Sequence, residues 1–499
     1  LWRFSNAYNN IIIGGIILKN KTKVHFMGIC GSGTAPVAII AKKMGFDVSG
    51  CDLNVSGYYS DNLIENNIEI IEGHDSKHIE EADILAISPA ILEVSPNHSE
   101  IEKAKKRGIL MTWQEFLGKY LQDGKFVISV AGTHGKSTTT ILMGLVMEEA
   151  GLDPLVEAGT TFKQWGGGYR IGKSNYFVCE ADEFNNNFLN YTPSIAIINN
   201  VEMDHPEFFK NLDDIKDSFK KFIKKLKNSK VLIINEEDAA LKEILYELRD
   251  WIEENQVRVM GYYIDNRCDF PFEREYKVVL GSTNSECSKY KIINGDNEIN
   301  VELGLIGKHN IQNSLGVFIT ALELGIDTDK IINSFKKFKG IGRRLELIGN
   351  IGEVKVYDDF AHHPTAIAST LDSIKCSHPE KKVFAIFEPH QISRLKLFFN
   401  EFAVALKKAD RVIILEPFLG REVNKNFEPI SLERLVNEIN KDTTEYIQDY
   451  DEICNKITKE VKNGDIIIVF GAGESYKLSR KIVNILKEEN KKDCIKNGL

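Results

Sequence analysis

The hexapeptide Gly132-Thr133-His134-Gly135-Lys136-Ser137 stands between an apolar, strand-like run at 126–130 and a helix-like run at 138–147. A strand, a glycine turn carrying Lys and Ser, and then a helix constrain the chain strongly, because this is the arrangement that receives nucleotide phosphates. Glycines let backbone N–H groups turn inward around phosphate oxygens, the helix N-terminus adds partial positive charge, Lys reaches the outer phosphates and the hydroxyl ligates Mg²⁺. The match is shorter than the eight-residue phosphate-loop pattern, since Val130 stands where the first Gly of that pattern belongs. Its strand-to-helix context carries the assignment.

At roughly 100–200 residues per domain, 499 residues suit three domains better than one or two. The net charge is −9, with acidic and basic residues interspersed, so no electrostatic footprint for nucleic acid is expected. The Lys-rich run 216–230 alternates with Phe219, Phe222, Ile223 and Leu226 at helical spacing and reads as an amphipathic helix with a solvated basic face. Eight cysteines contain no CxxC pair, which argues against a zinc cluster and against a secreted disulfide framework and fits a reducing cytoplasm. The apolar run 11–18 is broken by Gly14 and Gly15 and is far shorter than the roughly 20 residues that cross a bilayer, so no stable membrane association is expected. Leu1 in place of Met makes residues 1–20 a candidate artefact of start assignment.

The amino-terminal part alternates strand and helix signals at 24–27, 35–44 and 47–51, a βαβ beginning. Its glycine turn carries Gly28, Gly31 and Gly33, and Asp52 closes the next strand. The spacing is similar to the dinucleotide fingerprint, but the glycines read GxxGxG, which favours some diphosphate at a helix N-terminus over NAD or FAD. A second α/β segment carries the phosphate loop, with strands expected at 176–179, 194–198 and 231–234 and a hairpin around Asn294-Gly295. A third repeats the alternation, with strands expected at 354–357, 383–387, 412–415 and 466–469. Boundaries are placed near 123 and near Gly340 and Gly342, giving an extension 1–22 and domains 23–123, 124–341 and 342–490.

Downstream of the loop, one strand ends in Glu180-Ala181-Asp182-Glu183 and the next in Asn199-Asn200-Val201-Glu202-Met203-Asp204-His205. Strand ends of an open parallel sheet converge on one crevice, so Ser137, Glu180 and His205 are candidate Mg²⁺ ligands against ATP phosphates. Solvated loop charges or helix caps are the bland alternative. Gly307-Lys308-His309-Asn310-Ile311-Gln312-Asn313 precedes a helical run; its imidazole and amides suit a purine, and Asn310 equally suits a helix cap. Gly342-Arg343-Arg344 and Tyr357-Asp358-Asp359-Phe360-Ala361-His362-His363-Pro364 follow. The paired histidines invite a metal reading, which is weak because adjacent residues rarely ligate one ion.

Taken in order, GTHGKS, EADE, NNVEMDH, GKHNIQNS, GIGRR and DDFAHHPT resemble the Mur ligases, the ATP-dependent amide-forming enzymes of bacterial peptidoglycan synthesis, across residues 23–485. The resemblance implies an α/β fold of three domains: a Rossmann-like amino-terminal domain, a phosphate-loop ATPase-like central domain and a Rossmann-like carboxy-terminal domain. It implies ATP and Mg²⁺ as cofactors, with Gly132, Thr133, His134, Gly135, Lys136, Ser137 and Thr138 on the phosphates. Within the family, the pattern is most similar to the branch that joins L-alanine to the lactyl carboxylate of UDP-N-acetylmuramate through an acyl phosphate. By the same matching, Lys136, Glu180 and His205 are catalytic, and Ser137, Glu180 and His205 hold metal. His309 and Asn313 contact adenine, while Arg344 and Asp359 reach ATP. Gly28, Gly31 and Gly33 cradle the UDP diphosphate near Asp52, with His74 and Ser88 toward uridine and His363 on the substrate side. His390 and Arg394 hold the alanine carboxylate, so loss of Arg394 is expected chiefly to raise KM for the amino acid.

Gln391 stands where that branch usually has Arg, and Phe360 where it often has Tyr. The acceptor is therefore the point at which a tripeptide-recycling ligase enters as an alternative. A non-catalytic nucleotide-binding module is the alternative of another class, and the joint presence of Glu180, His205, Arg344 and Asp359 argues against it. Some Mur ligases use a carbamylated Lys after the His motif; Lys220 and Lys221 lie near that position, but Phe219 is an equal claimant.

Overall fold

A computed structural model describes residues 11–13, 16–18, 21–423, 430–440 and 442–496. Most of the amino-terminal extension therefore lies outside the described residues. The chain forms two compact units. The first comprises Leu1–Glu202, Asp213–Lys277 and Ser314–Ser334, and the second Met203–Leu212, Val278–Asn313 and Phe335–Leu499.

The first unit contains two large sheets beside the antiparallel pair Ile11–Ile13 and Ile16–Leu18. One has five parallel strands in the order Glu69–Glu72, Asp47–Asp52, Lys23–Met27, Ile84–Ile87 and Leu110–Thr112. The expected βαβ start is present, with helix Thr34–Lys43 between the first two strands of the chain order. The turn between them needs glycine for two different reasons. Gly28 has φ +79°, a left-handed conformation that side chains disfavour, whereas a Cβ on Gly33 would meet the Trp113 ring at 2.8 Å.

In the other sheet the parallel strand order runs Leu155–Phe162, Tyr176–Ala181, Phe126–Ala131, Ile195–Ile198, Val231–Asn235, Arg258–Tyr263. Gly167–Arg170 adds an antiparallel edge beside Leu155–Phe162. The central strands read as almost continuous Ile, Val and Ala because helices cover both faces of a parallel sheet. Strand Phe126–Ala131 leads through the hexapeptide into helix Lys136–Glu149, as the pattern of apolar and glycine residues predicts.

The first half of the Lys-rich run forms the end of helix Leu212–Ile223, which buries Ile215, Phe219 and Phe222, while the expected helix does not continue through 224–230. Phe188 stacks on Phe222 at 4.6 Å and meets Phe219 edge-on at 5.2 Å. Each such buried ring contributes about 1.5–3 kcal/mol of apolar burial. On its outer side Lys216 pairs with Asp213 and Glu243, and Lys220 with Asp217 and Glu247. Phe219 thus belongs to the core and Lys220 to a surface ion-pair ladder.

In the second unit, strands Ser288–Asn294 and Asn297–Leu303 form the expected hairpin, closed by Gly295 at φ +58°. The six-stranded sheet follows the order Glu346–Ile351, Val354–Asp359, Ile466–Phe470, Val383–Phe387, Arg411–Ile414, Thr444–Tyr446, parallel except for its first, antiparallel strand. Among the described residues, no helix is long and apolar enough to cross a membrane.

Candidate active site

The phosphate loop is built from backbone constraint and two asparagines. Gly132 has φ +131° and a Cβ there would lie 3.1 Å from the Asn200 backbone, while Gly135, at φ +82°, caps helix Lys136–Glu149. The Thr133 amide donates to the Asn200 carbonyl at 3.1 Å, and the His134 amide to Asn200 Oδ1 at 2.8 Å. Asn199 Nδ2 and Asn200 Nδ2 both donate to the His134 carbonyl, at 3.3 and 3.2 Å. Thr133 Oγ1 accepts from the Glu202 amide at 2.9 Å. The segment after strand Ile195–Ile198 therefore braces the loop, and the first-turn amides of the helix have no intrahelical partners.

Lys136 lies across the mouth of this loop. Its Nζ donates to the Gly132 carbonyl at 2.7 Å and to Glu183 Oε2 at 2.8 Å, with Asp182 Oδ1 at 3.6 Å. Burial works against its charge, but Glu183 and Asp182 outweigh burial and hold its pKa above that of a free lysine. Ser137 is buried at the first turn of the same helix, beside Thr138, which is also buried. Glu180 ends the neighbouring strand in register with Val130, and its Oε1 accepts from the Gly159 amide at 2.9 Å. A hydroxyl on the first helical turn and a carboxylate near the end of the neighbouring strand are the hard oxygen donors that Mg²⁺ takes, so Ser137 and Glu180 fit the ion that the motif implies. Buried Glu157, one strand further out, is a carboxyl that sequence reading missed. Its burial, with Glu180 and Asp182 nearby, pushes its pKa well above the ordinary carboxylate range.

In the amino-terminal sheet the Gly28 and Ile29 amides donate to the Cys51 carbonyl at 2.8 and 3.2 Å. Asp52 closes the same turn by accepting from the Cys30 amide at 2.9 Å. Gly31 shapes the turn by donating its amide N–H to the Gly28 carbonyl at 3.3 Å. Ser88 occupies the N-cap position of helix Pro89–Val94, and a Cβ on Gly28 would lie 3.1 Å from its Cβ. His74 Nδ1 lies 3.1 Å from Cys51 Sγ, on the strand that bonds this turn.

The second unit holds the remaining candidates. His205 adopts φ +53°, a conformation few non-glycine residues take, and its amide donates to its neighbour Asp204 Oδ1 at 2.7 Å. Its Nδ1 lies 3.4 Å from Glu207 Oε1. Arg394 is 1% exposed and clamps Asp204 Oδ1 through Nε at 3.0 Å and Nη2 at 2.8 Å. Its Nη1 donates to His390 Nδ1 at 2.9 Å and Gln391 Oε1 at 3.1 Å. Burial opposes ionisation of Asp204, yet His205 and Arg394 hold its carboxyl well below the usual range. Gln391, at φ +68°, also bonds the Phe418 carbonyl through its amide. Phe360 lies under both the Arg343 and Arg344 guanidinium groups, 5.0 Å from each.

The two adjacent histidines do separate work. His363 caps helix Pro364–Ser377 through Nδ1 and donates from Nε2 to the Met203 carbonyl at 3.1 Å, whereas His362 Nδ1 bonds the Phe360 carbonyl at 2.9 Å. Asp359 accepts from the Ala361 and Leu345 amides, at 2.8 and 3.1 Å, and from Thr370 Oγ1 at 3.2 Å, so it ties the loop that carries Arg344. His309 Nδ1 pairs with Ser369 Oγ at 2.8 Å. Asn310 is within helix Lys308–Glu323 rather than at its cap, and its Nδ2 bonds the Ile306 carbonyl at 2.8 Å, with Asn313 Nδ2 3.4 Å from its Oδ1.

Burial, and then Arg394, push the His390 imidazole down to about 3, which suits its role as acceptor from Arg394. Below about pH 6.5 the unfolded chain takes up a proton on this ring and the folded chain does not, so stability falls with pH down to about pH 3. Urea unfolding of His390→Gln should lack this contribution. Between pH 6 and pH 4 the wild type is expected to lose about 1.4 kcal/mol per pH unit relative to the variant. Parallel profiles would show that the folded ring protonates normally.

Family profiles agree with this geometry. Residues 23–124 match the profile described as Mur ligase family, catalytic domain; 130–321 match the Mur ligase middle domain; and 343–473 match the Mur ligase glutamate ligase domain. A UDP-N-acetylmuramate--L-alanine ligase of Caldicellulosiruptor bescii is 37% identical over 91% of this chain and 97% of its own. One of Clostridium acetobutylicum is 33% identical over 94% of this chain and 99% of its own. Among solved structures, the UDP-N-acetylmuramate-alanine ligase of Thermotoga maritima superposes with a TM-score of 0.76 at 23% identity, covering 94% of this chain and 99% of that one. A murein peptide ligase of Psychrobacter arcticus gives 0.67 at 24% identity, over 93% of this chain and 99% of that one. These structures share the α/β architecture. A braced phosphate loop with its lysine between carboxylates, three matched family domains and relatives similar along nearly the whole chain lead to one conclusion: the chain belongs to the Mur ligase family.

Proposed function

We propose that this protein joins L-alanine to the lactyl carboxylate of UDP-N-acetylmuramate at the expense of ATP, giving UDP-N-acetylmuramoyl-L-alanine, ADP and phosphate for peptidoglycan synthesis in the cytoplasm. The observation that carries the reading is Lys136, held between the Gly132 carbonyl and Glu183 at the mouth of a glycine loop, in a chain similar over almost its full length to L-alanine ligases. The domain division 23–123, 124–341 and 342–490 is part of the same proposal.

Lys136 would leave Glu183 for the outer phosphates, and the amides of the first helical turn would take the remaining charge of the transferring phosphoryl group. The carboxylate of the sugar nucleotide accepts that group and becomes an acyl phosphate. The amine then attacks the acyl carbon, and phosphate leaves with the bonding pair. Mg²⁺ held by Ser137 and Glu180, and on the family pattern a second Mg²⁺ held by His205, would neutralise phosphate charge. His309 and Asn313 are assigned to adenine, Arg344 and Asp359 to the nucleotide, and Gly28, Gly31, Gly33, Asp52, His74 and Ser88 to the uridine diphosphate portion. On the acceptor side, His363, His390 and Arg394 are assigned by the same pattern. Because the donors of Arg394 are taken up by Asp204, His390 and Gln391, we assign its first effect to the Asp204–His205 segment. Phosphate release that requires both the sugar nucleotide and L-alanine tests this function; release without the sugar nucleotide would contradict it.

A further inference from the structure

Four residues far apart in the sequence bring metal-binding atoms together between the amino-terminal sheet and two of its helices. His25 is on strand Lys23–Met27, Cys51 on the adjacent strand Asp47–Asp52, His78 on the short helix Ser76–Ile79 and Glu100 on helix Ser99–Arg107. One ligand atom from each lies within 4.8 Å of the others. We propose that this cluster is a site for one zinc-type divalent cation, held by His25 Nε2, Cys51 Sγ, His78 Nδ1 and a Glu100 carboxylate oxygen.

The separations decide between a metal site and an ordinary polar cluster. His25 Nε2 to Glu100 Oε1 is 3.5 Å, His78 Nδ1 to Glu100 Oε2 is 3.8 Å and Cys51 Sγ to Glu100 Oε1 is 3.6 Å. The nitrogen–oxygen distances are too long for good hydrogen bonds. Measured to one or the other Glu100 oxygen, they fall in the range of about 3.3–3.8 Å that separates ligands around a tetrahedral ion with bonds of about 2.0–2.3 Å, and the other ligand atoms lie within 4.8 Å of one another. A plain hydrogen-bonded reading satisfies the thiol, which points at both Glu100 oxygens, and satisfies His78, whose Nδ1 accepts from the Asp75 amide at 3.3 Å, a long bond that the ring gives up on binding the cation. It leaves His25 Nε2 without a hydrogen-bond partner in a side chain 1% exposed, facing a Glu100 that is 0% exposed. A buried polar nitrogen without a partner destabilises the fold, and a bound cation removes that penalty.

The surroundings are those of a ligand set. His25 Nδ1 is bonded to Ser49 Oγ at 2.9 Å, which fixes the ring with Nε2 toward the cluster. His74 Nδ1, 3.1 Å from Cys51 Sγ, can donate to a thiolate. Such outer contacts orient ligands and tune their basicity. Two imidazoles, one sulfur and one carboxylate favour zinc over Mg²⁺, which prefers oxygen alone. His78, on the more exposed side, supplies the entry path. Because the Cys51 carbonyl receives the Gly28 and Ile29 amides, the cation would also stiffen the adjoining glycine turn. The absence of a CxxC pair hid this site, since no two ligands are close in sequence.

Cobalt alone, added to the chelator-stripped full chain, tests the proposal. One Co²⁺ per chain is expected, with tetrahedral visible bands and a thiolate-to-cobalt charge-transfer band, both displaced by Zn²⁺. Cys51→Ser should abolish the charge-transfer band and Cys179→Ser should leave it unchanged. His78→Ala, on the more exposed side, should weaken cobalt binding by at least about 10–100-fold, and this variant decides the matter if Cys51→Ser does not fold. Absence of bound cobalt in the wild type, survival of the charge-transfer band in Cys51→Ser, or unchanged affinity in His78→Ala would overturn the site.

Discussion

Lys136→Ala will lower ATP-dependent phosphate release by about 10²–10³-fold or more, because it removes the charge assigned to the transferring phosphoryl group. It will also lower stability. Glu183 is 2% exposed and bonded to Lys136 at 2.8 Å, so truncation leaves a buried carboxylate that must protonate or go without its partner, at about 1–3 kcal/mol. The two effects separate in the double variant Lys136→Ala/Glu183→Gln, where a neutral amide replaces the stranded charge. Denaturant unfolding should show stability largely restored while activity stays low. Turnover of Lys136→Ala within about tenfold of wild type would remove the phosphate-site assignment, and recovery of activity in the double variant would make Lys136 a structural residue only.

Arg394→Ala is expected to cost more stability than any surface change, about 3–5 kcal/mol, because it strands a buried carboxylate at Asp204. It is also expected to lower kcat more than it raises KM for the amino acid. Asp204 positions the amide of His205 at 2.7 Å and is clamped by two Arg394 donors, so loss of the clamp disturbs the His205 segment first. Arg394→Lys keeps the charge but not the fork and should lie between the two. A raised KM for L-alanine with kcat preserved would instead give Arg394 the acceptor carboxylate, as the family pattern alone implies.

The contrast between these two residues shows what the sequence made legible. Lys136 is local: a glycine turn between an apolar strand and a helix is written in six consecutive residues, and the folded loop has the conformation those residues require. The strands expected at 126–130, 176–179 and 194–198 form within two residues of those bounds, because buried parallel strands are short, largely apolar runs. Arg394 is not local. Its partner Asp204 is 190 positions away, and nothing in the spacing of Pro389-His390-Gln391 signals that its donors would be taken by the protein. Asn199 and Asn200 were visible as part of a motif, but their work on the His134 carbonyl appears only once adjacent strand ends are placed side by side. His362 and His363 looked like a pair and are not, because one bonds its own loop and the other caps a helix. The reverse holds for His25, Cys51, His78 and Glu100, which look unrelated in the chain and share one pocket of the sheet. Long-range pairing, buried charge and cross-strand bracing are properties of topology rather than of local pattern.

The most direct test measures phosphate release by the purified protein with ATP, Mg²⁺ and UDP-N-acetylmuramate, offering L-alanine or L-alanyl-γ-D-glutamyl-meso-diaminopimelate as the amine. Release driven by L-alanine, with Gln391 and Phe360 in place, is the predicted result. Release driven by the tripeptide alone would assign the chain to recycling, and silence with both amines would contradict the ligase account.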